Sequence, residues 1–139
     1  MPLSGNAFLN EYGWLQIEMD GLLPHCRYSS ANYLSDTLAR LLRECGEHYK
    51  LPYFQHALVV IEEYSNIRSR QVFDHDNKGW RAISNVLKGV VIEDDDQYSM
   101  DLVLLARKSE KIASHIFVLD AEDAAEFFAW RTAQEELLM

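Results

Sequence analysis

The chain has 139 residues, 48% of them hydrophobic, with seven Tyr, six Phe and three Trp. That length suits one domain with a real core, and the composition excludes a disordered chain. Two cysteines, Cys26 and Cys45, exclude a disulfide framework, and a net charge of −9 excludes a uniformly basic nucleic-acid binder. The charge is uneven: residues 120–139 carry six acids against one arginine, leaving −4 for residues 1–119. No apolar run reaches the length of a membrane span. Met1 to Tyr12 has neither the basic start nor the apolar centre of a secretory signal. A reducing, cytoplasmic setting with no membrane partner is the expectation. Neither CxxC nor HExxH occurs, which excludes the common zinc patterns.

In chain order, Met1 to Tyr12 reads as a loosely ordered start. Trp14 to Met19 alternates apolar and polar, as a half-buried strand does. Gly21 to Ser29 is a loop containing Pro24. Ser29 or Ser30 can cap a helix over about 31–49, in which Leu34, Leu38, Leu41, Leu42 and Cys45 form one apolar stripe. Cys45 on that stripe is a small buried hydrophobe. Gln55 to Tyr64 predicts a strand buried on both faces. Glu62 and Glu63 at its end are either solvated strand-end charges or further metal oxygens. A helix over Asn77 to Leu87 carries Trp80, Ile83 and Leu87 on one face, and Lys88 and Gly89 suit its end. Tyr98 to Arg107 and Ile112 to Leu119 predict two strands joined as a hairpin. Asp120 can cap a last helix over about 121–138. Ala124, Phe127, Phe128, Ala133 and Leu137 form its expected apolar face. Phe128, Trp130 and Leu138 either bury against the sheet or remain for a partner. The order β-α-β-α-β-β-α makes a single α+β domain over 1–139 with a small mixed or antiparallel sheet.

The stretch from Asp74 to Gln97 carries the chemistry. Asp74-His75-Asp76-Asn77 precedes the middle helix and Asp94-Asp95-Asp96-Gln97 follows it. Two carboxylates about 4 Å apart repel by roughly 4 kcal/mol at an effective dielectric of about 20. Several together need a cation among them, and hard divalent ions take oxygen ligands. The alternative is that Glu93 to Asp96 is a solvated acidic turn and that Asp76 is an N-cap. Capping and ligation are compatible, because a carboxylate has two oxygens.

The two motifs resemble those of the RusA family of Holliday junction resolvases, which carry Asp-x-Asp-Asn at a helix start and Asp-Asp-x-Gln after that helix. Asp74, Asp76 and Asn77 match the first motif, and Asp94, Asp95 and Gln97 match the second. The 19 positions from Asp76 to Asp95 are the family's spacing. Arg68 and Arg70 are similar to the basic stretch before the family's first motif. The resemblance implies a RusA-like fold with the last helix as an addition, and a Mg²⁺- or Mn²⁺-dependent endonuclease cleaving branched DNA. It implies a homodimer on a four-way junction and metal ligation by Asp74, Asp76, Asp94 and Asp95. It also implies DNA contacts by Arg68, Arg70, Lys78 and Arg81, with weaker contact candidates in His25, Arg27 and Tyr28. Resolvases of this type are often encoded in phages or mobile elements. His75, between the two aspartates, contacts phosphate, acts as an acid or base, or is simply exposed. The family's lysine three residues after the asparagine is here Trp80. Lys78 and Arg81 are the nearest cations for its catalytic role, although on a helix they point about 200° and 100° away from position 80. The alternative is a RusA-like protein that binds branched DNA or a protein partner without cleaving.

Overall fold

The computed structural model describes residues 4–21, 32–65 and 80–137. Among these, five strands form one mixed sheet and three helices cover its two faces. The elements are β1 (Gly5–Leu9), β2 (Leu15–Met19), α1 (Asn32–His48), β3 (Ala57–Ser65), α2 (Trp80–Leu87), β4 (Met100–Lys108), β5 (Ala113–Asp120) and α3 (Ala124–Leu137). A 3₁₀ turn, Ala121–Asp123, leads into α3, and the Asp120 carboxylate accepts the Glu122 N–H at 2.9 Å as the expected cap. The result is a single small α+β domain with the strand order β1-β2-β5-β3-β4.

Strand β3 is the axis of this arrangement. Ala57 to Glu63 are all buried, so both faces of the strand need cover and both edges need partners. It pairs antiparallel with β5 and parallel with β4. This corrects the expected hairpin: β4 and β5 are consecutive in sequence but do not pair. Residues 109–112 cross the end of β3 instead, pinned where the Ser109 N–H donates to Ser65 O at 2.8 Å. Ile112, expected in the strand, lies in this connection and is exposed. A hairpin satisfies one edge of each of its strands, whereas insertion of β3 between β5 and β4 gives the most apolar strand a partner on both edges.

The first residues are also corrected. Gly5–Leu9 is a strand, paired antiparallel with β2, so the described order begins with an additional strand. GNAFL has no alternation and little strand propensity; pairing, not local preference, makes it a strand. Gly5 is required by contact, since a Cβ there would lie 2.6 Å from Glu18 O. In the connecting turn the Asn10 side chain accepts the N–H groups of Tyr12 and Trp14 at 2.9 and 3.1 Å.

Two apolar cores result. Leu34, Leu38, Leu41, Leu42 and Cys45 of α1 meet Ile83 and Leu87 of α2 over Ile17, Val59, Ile61, Ile116 and Val118. On the opposite face Phe127 of α3 sits against Trp14, Leu58, Val60, Phe117 and Leu119. Trp130 packs against this second core, whereas Phe128 is partly exposed and Ala133, expected on the apolar face, is exposed. Among the described side chains of α3, Ala124, Phe127 and Trp130 face this core, and the side chain of Leu137 lies outside the described residues. Tyr98 is 79% exposed and precedes β4 instead of opening it.

Phe127 is fully buried, with its ring 5.0 Å from Phe117, 5.6 Å from Trp14 and 5.9 Å from Trp130. Phe127→Ala is expected to cost about 3–5 kcal/mol in urea unfolding. A loss below about 1 kcal/mol would mean that α3 does not hold this core in solution.

Candidate functional site

Helix α2 ends at Leu87, and two residues on Gly89 turns the chain with a φ of 77°, the left-handed conformation that glycine adopts without strain. The chain then turns back and is tied to the segment before β3. Phe54 N–H donates to Val91 O at 2.8 Å, Glu93 N–H donates to Phe54 O at 3.0 Å, and the Tyr53 hydroxyl donates to the Glu93 carboxylate at 2.6 Å. The acidic cluster that follows is therefore a fixed turn. Within it Asp96 is structural: its Oδ1 accepts the N–H groups of Tyr98 and Ser99, both at 2.9 Å. The Tyr98 N–H, ahead of the Ser99 donors, holds the Asp96 carboxyl below the usual carboxylate range. Asp94 Oδ1 accepts the Asp95 N–H at 2.8 Å, which leaves its other oxygen outside that bond.

Asp95 is set against α2. Its carboxylate lies 3.5 Å from Lys88 Nζ. It also lines a cavity of about 290 Å³ with Arg81, Ser84, Asn85, Met100 and Leu102. Arg81, Ser84, Asn85 and Lys88 recur at i, i+3, i+4 and i+7, so α2 presents a polar stripe to Asp95 opposite its buried Ile83 and Leu87. Lys88, a basic residue near the motifs in sequence that also suits the helix end, thus joins the site, in the i+7 relation to Arg81. Of the sequence-predicted residues the structure brings together Arg81 and Asp95 in one cavity, while Asp94 is tied to the Asp95 N–H. Asp74, His75, Asp76, Asn77, Lys78, Arg68 and Arg70 lie outside the described residues, as do His25, Arg27, Tyr28 and the side chain of Trp80. No group of three or more metal-ligating side chains occurs among the described residues. Asp94 and Asp95 supply carboxylate oxygens of the kind a hard divalent cation takes.

The other face holds charge chemistry that sequence placed wrongly. Glu62 is neither a solvated strand end nor beside Asp95; it is 3% exposed on the α3 side of β3. Its Oε2 accepts Arg107 Nε and Arg131 Nε, both at 3.0 Å, and Arg131 Nη2. The Tyr64 hydroxyl donates to its Oε1 at 2.6 Å. Burial pushes the Glu62 carboxyl up, but hydrogen bonds from Arg131 and Tyr64, with the charges of Arg131 and Arg107, outweigh it and hold the carboxyl below its ordinary value. Burial, and then the bond to Glu62, push the Tyr64 hydroxyl up. This carboxylate joins β3, β4 and α3, 69 residues apart at its widest. Its partners come from remote sequence, so no local motif announces it.

In register with Glu62, His115 on β5 faces Glu18 on β2, with Nε2 3.4 Å from the carboxylate. Burial pushes the imidazole down, against the opposing pull of Glu18 and Glu62. Glu18, Tyr64, Lys111 and His115 line an open cleft of about 470 Å³ at the end of β3. This cleft lies on the face opposite Asp95.

A mixed five-stranded sheet, covered by two helices on one face and one on the other, with an acidic turn docked on α2, defines the class. The family model described as DUF6100, a family of unknown function, matches residues 5–138, and the chain belongs to that family. A comparison with curated proteins finds no match. No helix among the described residues is long and apolar enough to cross a membrane.

Glu62 gives a direct test. Glu62→Gln leaves two half-buried guanidinium groups without their buried carboxylate and is expected to cost about 2–4 kcal/mol at neutral pH. A carboxyl held below its ordinary value of 4.5 contributes stability that is complete above that pH and is lost as pH falls through the lower folded value. Wild type should therefore lose stability below about pH 4.5 more steeply than the glutamine variant in urea titrations. Parallel acid limbs would show that the carboxylate is not held by the arginines.

Proposed function

We propose that this chain is a metal-dependent endonuclease of the RusA type, acting on branched DNA as a two-fold dimer in the cytoplasm. The observation that carries the reading is the docking of the second acidic motif on α2, with Asp95 beside Lys88 and in one cavity with Arg81. The first acidic motif precedes this helix in sequence, Asp76 being four positions before Trp80. In sequence the two motifs therefore flank the same helix, at the spacing of the resolvase motifs.

Asp74, Asp76, Asp94 and Asp95 would hold Mg²⁺ or Mn²⁺. A bound divalent ion supplies an activated water and stabilises charge on the attacked phosphate. Asn77 orients the carboxylates by donating its amide N–H. The cation beside Asp95 comes from α2: Lys88 and Arg81 offer positive charge to a phosphate where Trp80 replaces the family's lysine, with Lys78 as a third source. Arg68 and Arg70 contribute phosphate contacts. Arg81 and Lys88 offer local positive charge in a chain of net charge −9, because a phosphate meets the local field.

The second reading, a protein that binds junctions without cutting them, is favoured by Trp80 and by the pairing of Lys88 with Asp95. Cleavage of a labelled synthetic four-way junction, with linear duplex as control, separates the two. Paired cuts that need Mg²⁺ or Mn²⁺ and fall at least about 100-fold in Asp76→Asn and in Asp95→Asn are the expected result. Junction binding without cutting at moderate salt would replace the first reading by the second. Neither cutting nor binding would overturn both.

A further inference from the structure

Among the described residues, strand β4 is an edge of the sheet. Nine residues long, it pairs only with β3 among the described residues. The Ala57 N–H donates to Ser99 O at 2.9 Å and the Ser109 N–H donates to Ser65 O at 2.8 Å. In a parallel ladder this parity turns the backbone of the odd-numbered residues 99–109 toward β3. Leu102, Leu104 and Ala106 therefore aim their N–H and C=O groups outward, with no backbone partner among the described residues.

Four consecutive apolar residues, Leu102 to Leu105, are only half-buried, and Ala106 is exposed. Natural edge strands are usually short, interrupted, covered or charged along their length. The opposite edge meets that rule: β1 has five residues and packs against α1. Strand β4 has neither proline nor glycine, and its charges sit only at its ends, with Asp101 near the start and Arg107 and Lys108 at the finish.

The geometry points to β4 as a self-pairing edge, joining two copies of the chain antiparallel about a two-fold axis at Leu104 into one continuous ten-stranded sheet. The register that uses the whole strand sets Leu104 against itself. Leu102 then faces Ala106, Val103 faces Leu105, Asp101 faces Arg107, and Met100 faces Lys108. The outward groups of Leu102, Leu104 and Ala106 fall into the hydrogen-bonded positions of that ladder. Apolar pairs fill the middle on both faces, and each Asp101 meets the partner's Arg107. The strand itself carries one acid and two bases, so the seam is locally basic in an acidic chain. Met100 and Leu102 also line the cavity of Arg81 and Asp95, so the partner's Lys108 would enter beside that site. The inference deepens the two-fold assembly named above but rests on the strand, and a failure to cleave DNA leaves it standing.

The test needs no DNA. Sedimentation of the purified chain across micromolar concentrations should give twice 16.1 kDa, dissociating on dilution. Ala106→Pro removes one outward N–H and no bond to β3, since proline is tolerated where an edge N–H faces away from the sheet. It should be monomeric with an unchanged circular dichroism spectrum. Asp101→Arg, at an exposed position, sets arginine against arginine across the seam and should raise the dissociation constant roughly 5- to 30-fold. The second variant decides if the proline variant does not fold. In hydrogen exchange the amides of Leu104 and Ala106 should be slow in the dimer and fast in the dilute monomer. A wild type that stays at 16.1 kDa, or a dimer that Asp101→Arg leaves as tight, overturns the proposal.

Discussion

Burial of β3 on both faces is the constraint on which the rest of the molecule depends. A strand with seven consecutive buried residues cannot sit at an edge or under a single layer of helices. It draws β5 to one side and β4 to the other, and it takes α1 and α2 on one face and α3 on the other. The connection between β4 and β5 then has to cross the end of β3.

The same strand carries a charge into the core, and that charge specifies the second layer. An aliphatic residue at position 62 would leave α3 held by apolar contacts, those of Ala124, Phe127 and Trp130, which tolerate sliding. A carboxylate there requires cationic donors in fixed directions, and Arg131 of α3 and Arg107 of β4 provide them. Two guanidinium groups around one carboxylate offset the cost of desolvating it, which an isolated buried carboxylate cannot do. Charge thus appears on both sides of the sheet for different reasons. On the α3 side it is satisfied internally and locks an element in place. On the α2 side, around Asp95, it is half-exposed and borders a cavity, where it can meet a ligand.

The acidic turn shows how a fold separates residues that look equivalent in sequence. Glu93 is bound by Tyr53, Asp96 closes the turn by accepting backbone N–H groups, Asp94 caps the N–H of its neighbour, and Asp95 alone is aimed at the polar stripe of α2. Four consecutive carboxylates are tolerated because three of them have local donors. Charge repulsion that a cation would relieve is therefore confined to Asp94 and Asp95.

Periodicity in the sequence determined α1, with its stripe from Leu34 to Cys45, the alternation of β2, the doubly buried β3, the existence of α2, and the Asp120 cap before the last helix. These follow from local propensity and from which residues must leave water, and both are written in short windows. Tertiary structure alone decided the rest. It made GNAFL a strand, because a weak segment becomes one when β2 offers an edge. It inserted β3 between β4 and β5, because sheet order depends on the relative burial of strands far apart in sequence. It moved Glu62 from an expected solvated end to the core, because Arg131 lies 69 residues away. The acidic motifs were legible as motifs; which carboxylate faces α2 was not, because backbone donors within a turn are invisible until the turn is formed.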